Sequence, residues 1–132
     1  MIDLPVTALH NSWIHETSSS PDEWSKYNPA RGQCVASALV MQDYLGGDLL
    51  RYEVTGKSIN ETHYCNLLDD GTIVDTTGSQ YKEPVNMIVK PVDLKGFSSI
   101  REKRLSDKVT NKRYQLLKQF VDKQLLKSNS AK

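Results

Sequence analysis

The apolar residues change period along the chain. Near the start, Leu4, Ala8, Trp13 and Ile14 recur at roughly helical spacing before the pattern ends in Ser18-Ser19-Ser20-Pro21. This predicts a helix over 5–16, with Pro5 in the first turn, where a missing N–H does no harm. The next stretch, "SPDEWSKYNPARGQ", is punctuated by Pro21, Pro29 and Gly32 and reads as a loop. From Cys34 to Leu45 the helical period returns, with Val35, Ala38, Leu39, Gln42 and Leu45 on one side. Gly46-Gly47 supplies its stop, because glycine reaches left-handed backbone at little cost.

Alternation by twos then takes over. In "DLLRYEVTG", Leu50, Tyr52 and Val54 alternate with Leu49, Arg51 and Glu53, the signature of a strand. "THYCNLLDDGTIVDTT" reads as strand, Asp70-Gly71 turn, strand, and "VNMIVKPV" as a shorter strand ending at Pro91. The helical period resumes in "SSIREKRLSD" and in a long segment beginning at Thr110, which is the expected N-cap. There Tyr114, Leu117, Val121 and Leu125 form an apolar face broadened by Leu116 and Phe120. Residues 128–132 read as a frayed tail. Helices, then three or four mostly antiparallel strands, then helices predict an α+β class. With 132 residues, no internal repeat and no linker, the chain is expected to be one domain over 1–132.

Composition narrows the functional classes. Charged residues make up 25% and apolar ones 38%, which fits a globular chain rather than a disordered one. The longest apolar run, "VASALVM", is far short of a bilayer span, so no membrane association is expected. The start lacks a basic segment followed by an apolar one, and two cysteines make no disulfide framework, so the predicted location is cytoplasmic. The net charge of +1 conceals an asymmetry. Residues 1–81 hold 4 Lys/Arg against 11 Asp/Glu, whereas residues 82–132 hold 13 against 5. The two halves can attract each other, or the basic C-terminal helix can dock an acidic partner. No aromatic-interleaved basic motif points to nucleic acid.

The chemistry concentrates at "RGQC". Cys34 is either a small buried hydrophobe that begins a helix or a nucleophile placed where the helix dipole favours a thiolate. The N–H groups there could also receive an oxyanion, and Gly32 would let a substrate approach the backbone. A nucleophile needs a base and an orienting acceptor. Of the three histidines, His10 and His15 fall on the polar part of the first helix, while His63 lies in a strand. Asp75 ends the partner strand. A two-residue turn centred on Asp70-Gly71 would pair residue 66 with 75, leaving His63 three positions away, roughly 10 Å at ~3.3 Å per residue. Such a turn would not close the pair, whereas a looser or bulged one could.

Taken together, "SW…ETSS", "P…RGQCVASALVMQDYLGGDL", "HYCN", "DGTIVDTTGSQY" and "NKRYQLL" resemble the small bacterial YunG-like family. More remotely, the order of Cys at a helix start, then His and Asp on strands, resembles papain-like and transglutaminase-like cysteine enzymes. "RGQC" is also similar, over a few letters, to the "RGG-x-C" of arylamine N-acetyltransferases. The resemblance implies a papain-like or transglutaminase-like domain with Cys34, His63 and Asp75 as the catalytic triad. The chain departs from the pattern in two places. Asn28 stands where papain-like enzymes carry an oxyanion glutamine, and "HYCN" replaces the usual "HYWN".

The expected function is therefore a cysteine-dependent hydrolase or acyltransferase acting on an amide-containing substrate, without cofactor or metal. The alternative is a catalytically silent module binding an acidic partner through Lys118, Lys123 and Lys127. Gln33, Asn28, Gly32, Trp24, Asn66 and Gln80 are candidate substrate-binding or oxyanion residues. Each also has a structural role open to it: Trp24 between prolines can pin a loop, and Gln80 can simply pack. Cys65 is either core or a second thiol near the site. In the latter case Cys34, His63, Cys65 and Asp75 could bind zinc.

Overall fold

The structure is a computed structural model describing residues 3–130, with side chains through residue 127. Among the described residues four α-helices and four strands follow in the order α1 (Asp3–His10), α2 (Cys34–Leu45), β1 (Asp48–Gly56), β2 (Asn60–Leu67), β3 (Ile73–Val74), β4 (Val85–Val89), α3 (Ile100–Leu105) and α4 (Lys108–Ser130). The strands form one antiparallel sheet in the order β3-β2-β1-β4. The α+β class is as expected.

Helix α2 is the centre of the molecule. Its apolar residues run around the whole helix rather than along one stripe, so Cys34 and every residue from Ala36 to Met41 are buried. A helix apolar on all sides must be covered on all sides. Ala36, Val40 and Met41 pack with Ala8 and Leu9 of α1 and with Leu117 and Val121 of α4. On the other side Cys34, Ala38 and Leu39 meet Leu49 of β1 and Tyr64 of β2. The predicted face of α4 is the one that packs.

Three boundaries differ from the sequence reading. Helix α1 ends at His10 instead of Glu16. The Trp13 indole donates to the Ser37 hydroxyl at 2.9 Å, and Ile14 is extended, so the chain leaves its helix to lie against α2. At α4 the cap is Asp107, whose carboxylate accepts from the backbone of Val109 at 2.9 Å and Thr110 at 3.1 Å. Thr110 is a buried position within the first turn. The expected frayed tail is helical through Ser130, and residues 131–132 lie outside the described residues.

The hairpin register carries the largest consequence. β2 and β3 pair Asn66 with Val74 and Leu67 with Ile73. The loop is closed by Leu68 N–H donating to Thr72 O at 2.8 Å, so three residues turn the chain instead of two. Gly71, at φ +89°, takes the left-handed position that such a loop requires. The extra residue shifts the expected register by one. Continued by one residue, it sets Asp75 opposite Cys65, two positions from His63 and on the same face.

Candidate active site

β2 is buried at four consecutive residues, His63 through Asn66, because both of its faces are covered there. Tyr64 packs on α2, and Asn66 Nδ2 donates to Ala38 O at 2.9 Å. On the opposite face the segment after β3 returns to His63. Asp75 Oδ1 lies 2.9 Å from His63 Nε2, the Tyr81 ring meets the imidazole in a T-shaped contact with centroids 5.4 Å apart, and Gln80 Nε2 lies 3.3 Å from His63 Nδ1. The Cys34 side chain acts on the same imidazole, favouring its charged form. Thiol, imidazole and carboxylate are thus brought into one chain of contacts at the start of α2. The three-residue loop closes the gap that a two-residue turn would have left.

Burial of His63, which is wholly inaccessible, works against its charged form. The Asp75 hydrogen bond and the influence of Cys34 outweigh it and raise the imidazole pKa to about 9. Cys65 behaves differently. Burial and the nearby negative charges of Asp75 and Cys34 push its thiol up to about 12, so at neutral pH it is an inert thiol beside the site. Both cysteines are free. Cys34, His63, Cys65 and Asp75 are not arranged as a metal-holding cluster among the described residues.

The four letters of "RGQC" have separate jobs. Arg31 Nη1 donates to Gln80 Oε1 at 3.1 Å and to Glu61 at 3.0 Å, while its Nε donates to Glu23 at 2.7 Å. Gly32 N–H donates to the same Gln80 oxygen at 3.3 Å. Two donors on Oε1 orient the Gln80 amide, so its Nε2 faces His63. In the neutral imidazole this arrangement has Nδ1 accept from Gln80 and Nε2–H donate to Asp75, which holds the ring in place beside Cys34. Gly32 is required by chain packing more than by substrate approach. Its φ is +75°, and a Cβ would run into the Ser18 hydroxyl and lie 2.7 Å from the Ser20 nitrogen. Gln33 is wholly buried, donating to Ile14 O at 3.0 Å and accepting from Thr17 at 2.8 Å.

A cavity of about 200 Å³ reaches Cys34. Its walls include Gly32, Val35 and Ala36 around the helix start, Thr62 and Tyr64 on β2, and Gln80. No side chain caps α2 among the described residues, so its first N–H groups are left without partners of that kind beside the thiol. Of the candidate residues, only Gly32 and Gln80 join Cys34 in this wall. Gln33 instead anchors the loop to α2. Asn28 donates to the Gln80 backbone oxygen at 3.1 Å, Trp24 pins the loop through Pro29 O at 2.9 Å, and Asn66 belongs to the α2 face. None of these four lines the cavity.

The sequence reading does not single out Arg31. One signal was available, since it is one of 4 basic residues in an acidic first 81 and stands three before Cys34. The attraction between halves is concrete, because Asp43 of α2 pairs with Arg101 at 2.8 Å and Lys118 at 3.6 Å. Lys118 therefore contacts the body of the molecule, while Lys123 and Lys127 are exposed.

An α+β chain with a thiol, an imidazole and a carboxylate in line is the class this geometry defines. The family is shown directly. A family model described as YunG protein matches residues 4–126, and the chain belongs to that family. It is 32% identical over 77 residues to "Uncharacterized protein YunG" of Bacillus subtilis (strain 168), a match covering 58% of this chain and 60% of that relative. The chain thus matches about 60% of the length of the curated relative. No solved structure matches it significantly. No helix among the described residues is long and apolar enough to cross a membrane.

Proposed function

We propose that this protein is a cysteine-dependent hydrolase or acyltransferase acting on an amide, in a papain-like or transglutaminase-like arrangement. The observation that carries this reading is the His63–Asp75 hydrogen bond, with Cys34 acting on the same imidazole, beside a cavity at an uncapped helix start. The proton shared by Cys34 and His63 rests on the imidazole, and the sulfur attacks the amide carbonyl carbon. Negative charge then gathers on the carbonyl oxygen, where the N–H groups at the start of α2 and the Gln80 amide can receive it. Collapse breaks the C–N bond as His63 returns the proton to the leaving nitrogen. Water or an acceptor amine, deprotonated by His63, releases the acyl group from sulfur. Asp75 holds the imidazole in register throughout.

Alkylation tests this without knowledge of the substrate. With iodoacetamide near neutral pH, Cys34 should label at least about tenfold faster than Cys65, and His63→Ala should remove most of that advantage. Equal and sluggish labelling of both thiols would sink the proposal.

A further inference from the structure

The lining of the cavity also carries two arginines. Arg104 at the end of α3 and Arg113 on α4 both line it, together with Thr110, Ser19 and Ser20. The Arg104 guanidinium lies over the Tyr64 ring, 5.7 Å from its centroid, and donates from Nη2 to Thr110 at 3.3 Å. Its Nε is buried without a hydrogen-bond partner among the described residues. A buried charged donor left over is costly unless something accepts from it. The nearby acids are engaged elsewhere. Asp107, which feels both arginines, caps α4 through the Val109 and Thr110 N–H groups. Glu61, also in the wall, is held by Arg31 through bonds of 3.1 and 3.0 Å. Two arginines therefore share with Cys34 the lining of a space of about 200 Å³, room for a group the size of one small residue. A planar guanidinium fork matches a carboxylate better than it matches any neutral group.

We infer that the substrate is a small amide bearing a free carboxylate near the scissile carbonyl, with Arg104 and Arg113 as the carboxylate-binding pair. Arg104, already stacked and half-bonded, fixes the carboxylate, and Arg113 completes the charge balance. The inference rests on Cys34 being the nucleophile, and the two are separable by experiment.

N-acetylglycine, an amide with a carboxylate, is the probe for binding. In Cys34→Ala protein, where thiol chemistry is gone, millimolar N-acetylglycine should raise the melting temperature by a few degrees, as expected for a ligand that binds only the folded state. N-acetylglycinamide should not, and Arg104→Gln with Arg113→Gln should abolish the shift. The same pair should lower Cys34 alkylation by iodoacetate about tenfold more than alkylation by iodoacetamide, each rate being normalised to a free thiol. Should Arg104→Gln fail to fold, Arg113→Gln alone should still depress the iodoacetate-to-iodoacetamide ratio severalfold. An equal shift with both acetyl compounds, or a shift and ratio unmoved by the arginine substitutions, would overturn the carboxylate site. Slow, His63-independent alkylation would overturn the nucleophile instead and leave the melting-temperature result to judge the site.

Discussion

The helical core and the cysteine pocket are buried to a similar degree, yet they are held together by different physics. Leu9, Val40, Met41, Leu117 and Val121 are inaccessible and pack as one apolar cluster across α1, α2 and α4. Gln33 and His63 are equally inaccessible and Gln80 nearly so, but each is fixed by named hydrogen bonds to particular partners. Apolar packing is non-directional and yields gradually as volume is lost. A buried polar network yields when one partner moves. The first arrangement sets how stable the fold is, and the second decides whether the thiol can react.

The largest expected effect breaks the first region and spares the second. Leu117→Ala removes a wholly buried side chain and should cost about 3 kcal/mol of stability in urea unfolding. Below the transition, Cys34 should still label at close to the wild-type rate, because Leu117 does not line its cavity. A parallel loss of labelling in fully folded protein would mean that the two regions are not separate.

Proton linkage sharpens the contrast from the other side. The apolar core has nothing to titrate. His63 is raised from 6.5 in the unfolded chain to about 9 in the folded one, against its own burial, by Asp75 and Cys34. Between those values the folded state binds more protons than the unfolded state. Its stabilisation is complete below pH 6.5 and is lost as pH rises through 9, on the order of 3 kcal/mol for a shift of that size. Unfolding free energy measured from pH 6 to 9.5 should fall accordingly in the wild type and stay nearly flat in His63→Gln. The raised Cys65 thiol adds a decline of the same sign, chiefly above pH 9. A flat wild-type curve between 6.5 and 9 would contradict the assigned contacts of His63.

What was legible in the sequence follows the same division. The packed face of α4, the span of β1 and the stop at Gly46 follow from periodicity and glycine placement, since each is a local rule. Helix α1 was overextended because Trp13 and Ile14 fit helical spacing, whereas the indole bond to Ser37 that pulls them away is a contact across 24 residues. Cys34, His63 and Asp75 were recognisable as residue types in a suitable order, but their contact was not. The dipeptide Asp70-Gly71 suits a two-residue turn and a three-residue loop alike. Only the second carries Asp75 onto the face of His63. The Gln80 amide was less legible still, because its orientation depends on Arg31 and Gly32, nearly fifty residues earlier.

The smallest predicted effect tests that register at its hinge. Gly71 has φ +89°, and a Cβ built there would meet nothing within 4 Å, so any penalty for Gly71→Ala comes from backbone strain alone. Left-handed backbone costs a residue with a side chain about 1 kcal/mol, and asparagine, which visits that region more readily, less. Unfolding should therefore rank wild type above Gly71→Asn and Gly71→Asn above Gly71→Ala, all within a span of about 1 kcal/mol. Labelling of Cys34 should change less than threefold in either variant, since the strain is local and the Leu68–Thr72 closure can persist. An alanine variant as stable as the wild type would show that the loop does not need the left-handed residue. The three-residue geometry would then fail, and with it the register that brings Asp75 to His63. If alanine instead tips the hairpin into the alternative pairing, Asp75 leaves that face and labelling should drop to the His63→Ala level. Such a result would identify one loop residue as the point where the fold decides whether the site exists.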